Sequence, residues 1–281
     1  MLAAAWAALA LGGCEEGARE ARVGIRTEVV PRVAAVIQDD LARHRVGVAK
    51  AANVLRRGFA LEDPADRERQ MRVALRYVQE PPRGIAEFVS SPMSFLAAVG
   101  ADGVVIARDA EPDRMRGMNL AEAHPVVKRA LAEGVPGYAL GEFGRATATE
   151  ETSWSMLFVH PVRVTEEGPI VGAVVAGIPL WREAQRLSRQ LRVERAAEIE
   201  AGLVLWVYLY KGDREFHFDT PPDLDELVPD PATRAAGLSR SPGGFTGEVQ
   251  LFGRPYGYGV VPVPSLGDDV GMIVFRSEAP R

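Results

Sequence analysis

The stretch FLAAVGADGVVIA, residues 95–107, decides the fold of this chain of 281 residues. Two apolar runs flank Asp102-Gly103, a dipeptide typical of tight β-hairpin turns. The stretch therefore predicts two antiparallel strands joined at that turn. A polar loop rich in Arg, Asp and Met follows, and a short helix is then predicted from Pro125 to Leu131, with its end at Gly134.

Three further strands are predicted after this helix. They cover residues 138–143, 153–164 and 170–180, and the polar turn 165–168 joins the last two. The first half of the chain is therefore expected to hold five strands with a helical insert after the second.

The second half of the chain repeats this plan. Gly137-Tyr138-Ala139-Leu140-Gly141-Glu142 matches Gly244-Phe245-Thr246-Gly247-Glu248, and each segment follows a short helix and enters a third strand. In the second copy the helix is expected to begin at Asp230-Pro231 and to end at Gly237. The five strands expected there cover residues 203–210, 215–218, 245–251, 256–263 and 270–275.

Helices are predicted before and between the two copies. Apolar residues recur at spacings of three, four and seven over residues 29–59, which predicts one amphipathic helix ~45 Å long with Pro31 in its first turn. Asp63-Pro64 is typical of a helix start and predicts a second helix that ends before Pro81-Pro82. Residues 181–200 are predicted as a connecting helix.

The N-terminus predicts an export signal. The apolar run 1–11 is followed by Gly12-Gly13-Cys14 and at once by Glu15 and Glu16. This order resembles the lipobox of bacterial lipoproteins, which implies that Cys14 is acylated and anchors the chain to a membrane. The alternative is an ordinary buried thiol. No Lys or Arg precedes the run, a departure that a start codon placed too far downstream would explain.

Composition narrows the class of protein. The chain is 47% hydrophobic and 25% charged, with a net charge of −5, and its positive residues are spread along the sequence, so a nucleic-acid partner is not expected. One cysteine excludes a disulfide framework and a thiolate metal cluster. The four histidines lie in different segments and no GxSxG motif is present, so neither a metal, a cofactor nor an enzyme is expected. No segment after Cys14 is apolar over ~18 residues, so no membrane span is expected there.

Three segments resemble sequences of the double Cache family of bacterial extracytoplasmic sensor domains: AVGADGVVIA (98–107), HPVVKRAL (124–131) and PIVGAVVAGI (169–178). The resemblance covers residues 29–275. It implies an α+β fold, in which a long N-terminal helix accompanies two PAS-like (Cache) antiparallel sheet units. The expected parts are a lipoprotein-type signal segment (1–14), N-terminal helices (25–82), a membrane-distal unit (83–180), a connector helix (181–200) and a membrane-proximal unit (201–281).

The resemblance also implies a function on the extracytoplasmic, periplasmic side of a membrane. Domains of this family bind organic acids, amino acids and similar metabolites in the membrane-distal unit, between the sheet and its covering loop and helix, without a catalytic step. The chain ends without a transmembrane helix, kinase or methyl-accepting region, so a separate signalling or transport protein is expected to carry any signal. The alternative is a structural or protein-interaction lipoprotein with a vestigial pocket. Whether the long helix pairs with a second copy or packs on its own sheets stays open.

Candidate ligand-binding residues lie on the strand at 153–164. Alternation places Trp154, Met156, Phe158 and His160 on one face, where rings give apolar area and a polar tip orients a ligand. The same pattern fits plain core packing and a hydrogen-bonded structural histidine. A haem bound through His160 or His44 is a further alternative, although His44 is better explained by an i, i+4 hydrogen bond to Asp40.

Cationic candidates lie in the loop after the Asp-Gly hairpin, where the resemblance places the pocket lid. Arg108, Arg114 and Arg116 are each able to clamp a carboxylate, and Tyr138 offers a hydroxyl at the start of the third strand. Because arginine is abundant throughout the chain, the alternative for each of the three is a solvated surface side chain.

Overall fold

The computed structural model describes residues 16–89, 91–143 and 153–279. Within these ranges the chain forms two compact units. The first unit is residues 39–180, and the second unit combines residues 16–38 with residues 181–279. The predicted signal segment and Cys14 lie outside the described residues.

Each unit contains one five-stranded antiparallel sheet. The first unit has β1 (Phe95–Gly100), β2 (Val105–Arg108), β3 (Gly137–Phe143), β4 (Ser153–Arg163) and β5 (Ile170–Pro179). The second unit has β6 (Val204–Lys211), β7 (Arg214–Phe216), β8 (Phe245–Leu251), β9 (Arg254–Pro262) and β10 (Val270–Ser277). The spatial orders β2-β1-β5-β4-β3 and β7-β6-β10-β9-β8 are the same, so the α+β class and the duplicated five-stranded plan are confirmed.

The N-terminal helical run begins earlier than predicted. Residues 16–24 are helical, Ile25–Val29 form a π-helical turn, and α1 (Val30–Phe59) continues from it. Pro31 lies in the first turn of α1, as predicted, although this turn continues the helical run that precedes it. Proline has no N–H and its ring crowds the carbonyl four residues earlier, and the wider π turn just before Pro31 accommodates both effects.

Two helix boundaries follow the predicted capping chemistry. At the start of α2 (Pro64–Tyr77), the Asp63 carboxylate accepts a hydrogen bond from the Asp66 N–H at 2.8 Å. After α3 (Leu120–Ala123), α4 (Pro125–Glu133) ends at Gly134, whose φ of 71° is the left-handed conformation typical of a helix C-terminus.

Two other helix predictions need correction. The connector is two helices, α5 (Leu180–Glu194) and α6 (Ala196–Glu200), and after α7 (Pro222–Asp225) the helix α8 (Pro231–Arg240) runs through Gly237 instead of ending there. A β-carbon on Gly237 would lie 2.2 Å from Cε1 of Phe245. This glycine therefore makes room for an aromatic ring and does not end the helix.

Among the residues described, no helix is both long and apolar enough to cross a membrane.

Candidate functional site

The sheet of the first unit has two differently covered faces. Strand β4 alternates as predicted: Leu157 and Val159 join the apolar cluster under α3 and α4, while Phe158 lies on the opposite face with its ring centroid 5.3 Å from that of His44 on α1. The register pairs Phe158 with Tyr138 and Met156 with Leu140 of β3. The side chains of Trp154, Met156, Phe158, His160 and Tyr138 therefore share the face that meets α1.

The other face is the one on which the resemblance implies a ligand pocket. Among the residues described, buried apolar side chains fill it, chiefly Phe95, Met115, Leu120, Phe143 and Leu157. A β-carbon on Gly177 would lie 2.1 Å from Cε1 of Phe95, so this ring rests directly on the backbone of β5. The link between β3 and β4, residues 144–152, lies outside the described residues.

His124 is the buried polar group on this filled face. Its ring centroid lies 4.8 Å from that of Phe143, and burial lowers the pKa of the imidazole. The side chain is therefore neutral at pH 7. Its position at the start of α4 and against Phe143 indicates packing rather than solvent contact.

On the α1 face, His44 is fixed by two hydrogen bonds. Nδ1 lies 2.7 Å from the carbonyl oxygen of Asp40 and Nε2 lies 2.6 Å from Oγ of Ser91. A carbonyl only accepts, so Nδ1–H donates to it and Nε2 accepts from the serine hydroxyl. Burial, helped by Arg43, lowers the pKa of His44 to about 4. The predicted i, i+4 bond to Asp40 is confirmed, through the backbone carbonyl, and both ring nitrogens that a haem would need are engaged.

Beside this histidine, aromatic and cationic groups stack. The ring of Tyr138 lies nearly parallel to that of Phe158, with centroids 6.1 Å apart, and the guanidinium carbon of Arg45 lies 6.0 Å from the centroid of Tyr138. That distance is the outer limit of a cation–π contact. Arg45 thus stands over the strands that carry the predicted site residues.

A concave space of about 480 Å³ opens at this point, and we call it the His160 groove. Residues of α1 form one wall, and the start of β3 with the middle of β4 forms the other. Its lining is Ala42, Arg45, Val46, Val48, Ala49, Lys50, Asn53, Pro136, Gly137, Val159 and His160. The groove thus combines an apolar floor with two cations, an amide and an imidazole.

The polar groups of the groove differ in the hydrogen bonds and ion pairs that they make within the protein. Lys50 Nζ donates to Glu87 Oε1 at 2.5 Å, and this bond lowers the pKa of the Glu87 carboxyl. Nδ1 of His160 lies 2.8 Å from the carbonyl oxygen of Pro161, so Nδ1–H donates and Nε2 carries the lone pair. Among the described residues no carboxylate pairs with Arg45. Arg45 is therefore the cation of the groove that a bound anion would meet.

The three predicted arginines do not line this groove. The side chain of Arg108 donates from Nη2 to the carbonyl oxygen of Ser94 at 3.0 Å, with its Nε 3.5 Å from Asp109. Arg116 pairs with Glu68 of α2 at 2.5 Å. Arg114 is exposed on the same loop. The structure therefore brings Tyr138, Phe158 and His160 together but places the arginines elsewhere.

Sequence reasoning missed Arg45, Lys50 and Asn53. The signal was present in α1, because Ala42, Arg45, Ala49 and Asn53 recur at steps of three and four beside the buried stripe. Such a step places them on one strip of the helix surface. Within the described ranges, no three His, Cys, Asp or Glu side chains are close enough together to hold a metal ion.

The second unit holds a different polar cluster, on the covered face of its own sheet. Tyr208 Oη donates to Asp225 Oδ1 at 2.7 Å, and Thr220 Oγ1 lies 2.8 Å from the same oxygen and 2.6 Å from Nδ1 of His217. Burial raises the pKa of Tyr208, so it stays protonated and keeps donating. This cluster ties the loop before α7 to β6.

Comparison with known proteins gives matches in structure alone. No family model matches the chain, and no curated protein matches it. The sensory domain of the Campylobacter jejuni chemoreceptor Tlp3 (CcmL) with isoleucine bound superposes with a TM-score of 0.57 at 10% identity, covering 94% of this chain and 96% of that chain. The ligand-binding domain of Tlp3 in complex with 4-methylisoleucine gives a TM-score of 0.56 at 11% identity, covering 92% and 91%.

A longer protein also matches. An extracellular ligand binding receptor from Desulfohalobium retbaense aligns at 13% identity with a TM-score of 0.48 over 88% of this chain, and this chain spans only 39% of that receptor's length. The likeness to the Tlp3 domains shows the fold: the chain shares the architecture of these ligand-binding domains, which is the fold that the resemblance to the double Cache family implied.

Proposed function

We propose that this protein is an extracytoplasmic lipoprotein that binds a small carboxylate in the His160 groove. The observation that carries the proposal is the groove itself: Arg45, Lys50, Asn53 and His160 surround an apolar floor in a space of about 480 Å³. Sites for small molecules usually have such a mostly apolar lining with a few convergent polar groups, and volumes of roughly 300–1,000 Å³. The likeness in fold to receptor domains that hold isoleucine supports the proposal.

The groups in the groove suit an organic acid or an amino acid. The planar guanidinium of Arg45 is able to pair with both oxygens of a carboxylate, and the Lys50 ammonium adds positive charge. Nε2 of His160 accepts a hydrogen bond from a ligand hydroxyl or amine, and the Asn53 amide donates or accepts. Apolar contacts with Val46, Ala49 and other floor residues would take up the carbon skeleton.

The ligand-binding part of the proposal is tested by calorimetry with a panel of carboxylates, amino acids and amines. Arg45→Gln removes the cation and keeps a polar side chain, so we expect carboxylate affinity to fall about 10- to 100-fold, since hydrogen bonds to charged groups contribute about 1.5–3 kcal/mol. Arg114→Gln is the matched control, because Arg114 is exposed and does not line the groove. Equal affinities in the two variants, or no binding by the unaltered protein, would contradict the assignment.

The anchoring part of the proposal concerns Cys14. Its support is the sequence order of an apolar run, Gly12-Gly13-Cys14 and a polar segment. Mass spectrometry of the protein from its own membrane fraction is expected to show acyl chains on Cys14, and Cys14→Ser is expected to release the protein into the soluble fraction. A membrane-bound Cys14→Ser variant would contradict the anchor. Co-purification from the same membranes tests the expected separate signalling or transport protein.

A second function, protein docking through vestigial sensor units, is favoured by one observation. Described apolar side chains fill the covered face of the first sheet, where the family resemblance implies the pocket. If no small molecule binds and Arg45→Gln instead abolishes capture of a protein from the same membranes, the docking function replaces ligand binding.

A further inference from the structure

The tip of the β8–β9 hairpin exposes an aromatic ring at a costly backbone position. Leu251 pairs with Arg254, so Phe252 and Gly253 form a two-residue loop, and their φ angles are 48° and 75°. Type I′ hairpin turns need positive φ at both central residues, which Asn and Gly adopt readily and phenylalanine rarely. The Phe252 residue is 86% exposed. Neither turn geometry nor packing in this chain therefore accounts for a phenylalanine here.

The base of this hairpin is held firmly. Arg254 Nε donates to Ser277 Oγ at 2.7 Å, and its Nη2 donates to the carbonyl oxygens of Glu278 at 3.0 Å, Ser277 at 3.2 Å and Gly202. These bonds join the start of β9 to the end of β10 and to the turn before β6. The ring of Phe252 is thus presented to solvent from a fixed support.

The helical run that follows Cys14 begins beside the same hairpin. A β-carbon on Gly17 would lie 3.7 Å from Cγ of Pro255, and one on Gly257 would lie 2.9 Å from the backbone nitrogen of Arg22. Cys14 precedes Gly17 by three residues, a reach of at most about 11 Å. Phe252 precedes Pro255 by three residues, which also span at most about 11 Å. The described part of the second unit therefore begins at the end that carries Phe252, and in the sequence Cys14 comes two residues before it.

We infer that the ring of Phe252 enters the lipid–water interface next to the lipid on Cys14 and so fixes the orientation of the second unit on the membrane. The inference rests on the anchoring part of the proposed function. Amphipathic protein surfaces bury apolar groups about 5–10 Å into this boundary, a depth that a ring at a hairpin tip is able to reach.

Local charge favours an uncharged lipid surface as the partner. The hollow beside residues 16–24 is lined by the carboxylates of Glu16, Glu20, Glu28 and Glu278, against the guanidinium groups of Arg19 and Arg276. An excess of carboxylates gives no attraction to anionic lipids. The contact therefore depends on the apolar ring, and zwitterionic phosphatidylcholine is sufficient for it.

The first experiment measures the depth of the tip on the full chain. The chain is coupled through the Cys14 sulfur to maleimide lipid in phosphatidylcholine vesicles, so the result does not depend on acylation by the cell. Tryptophan added by Phe252→Trp is expected to be quenched by brominated acyl chains, after subtraction of the signal of the unaltered chain. Asp213→Trp is the matched control, because it lies at the tip of the β6–β7 hairpin, at the opposite end of the same sheet. Equal lack of quenching at both tips overturns the proposal.

The second experiment separates a lipid contact from a structural role. Phe252→Asn places a residue that suits the left-handed turn, so we expect an unchanged or higher melting temperature. Without coupling, we expect vesicle association of the full Cys14→Ser chain to fall about tenfold when Phe252→Asn is added, in line with partial loss of one buried aromatic side chain. A lower melting temperature with unchanged vesicle association overturns the proposal. Neither measurement depends on the His160 groove. If Cys14 proves unacylated in cells, the anchoring part of the proposed function fails, but the quenching result still tests the contact between Phe252 and lipid.

Discussion

Glu183 offers a sharp test of the packing of α5. Its side chain is fully buried, and among the residues that the structure describes neither carboxylate oxygen has a hydrogen-bond partner. Nε of Arg186 lies 3.7 Å from Oε2, too far for a hydrogen bond. Burial raises the pKa of Glu183 to about 8, so the folded protein holds this carboxyl protonated at neutral pH.

The pH dependence follows from the direction of this shift. Below pH 4.5 the carboxyl is protonated in both the folded and the unfolded chain, and its contribution to stability is fully present. As the pH rises from 4.5 toward 8, the carboxyl ionises in the unfolded chain but stays protonated in the folded chain, so the free energy of unfolding falls. A pKa raised from 4.5 to about 8 corresponds to roughly 4 to 5 kcal/mol of unfolding free energy. Because the unfolded carboxyl is already largely ionised at pH 5, roughly 3 to 4 kcal/mol of this loss falls between pH 5 and pH 9.

Glu183→Gln removes the titration and nearly keeps the shape of the side chain. Urea unfolding of both proteins at pH 5, 7 and 9, followed by circular dichroism, is expected to show that the variant gains roughly 3 to 4 kcal/mol of unfolding free energy on the unaltered protein between pH 5 and pH 9. Glu200→Gln, on the exposed helix α6, controls for loss of a negative charge and is expected to give parallel curves. Parallel curves for Glu183→Gln as well would refute the buried, protonated carboxyl.

Two further predictions concern the first unit. Burial lowers the pKa of His44 from 6.5 to about 4, so the contribution of this side chain to stability is present above pH 6.5 and is lost as the pH falls through 4. In urea titrations over that range, the unaltered protein is expected to lose about 3 kcal/mol of unfolding free energy relative to His44→Gln. A constant difference between the two proteins would show that His44 does not titrate this way. Gly177→Ala is expected to destabilise the protein by about 1–3 kcal/mol and to lower its melting temperature, because the new methyl group would meet the buried ring of Phe95. Gly243→Ala serves as the control, since no atom lies within 4 Å of its new methyl group. Equal melting temperatures for the two variants would contradict the close packing of this face of the sheet.

Local chemistry made most of the fold predictable from sequence. The Asp63 cap and the Asp102-Gly103 turn each depend on a few neighbouring residues, and both occur as predicted. Gly237 was misinterpreted because the same residue that usually ends a helix also allows close packing. Only the position of Phe245, which comes from another element, distinguishes these two uses.

The site was less predictable because it depends on what covers each face of the sheet. Alternation along β4 correctly grouped Phe158 with His160, but period-two alternation does not say which face meets α1 and which meets α4. The prediction that Arg108, Arg114 and Arg116 bind a ligand was based on the family resemblance rather than on their spacing. Arg45 lies on the helix that packs on the opposite face from the expected pocket, so no rule based on the strand would have found it.

Comparison of the two units indicates which side chain of the His160 groove is not needed to form the sheet. The second unit has a similar hollow of about 480 Å³ where the N-terminal helical run passes the start of its third strand, lined among others by Arg26, Gly244 and Val261. Both hollows thus keep a glycine, a valine and a helix arginine, whereas the imidazole occurs only in the first. Because the second hollow forms without an imidazole in its lining, the sheet does not require one, and ligand binding that depends on His160 would reflect recognition rather than architecture.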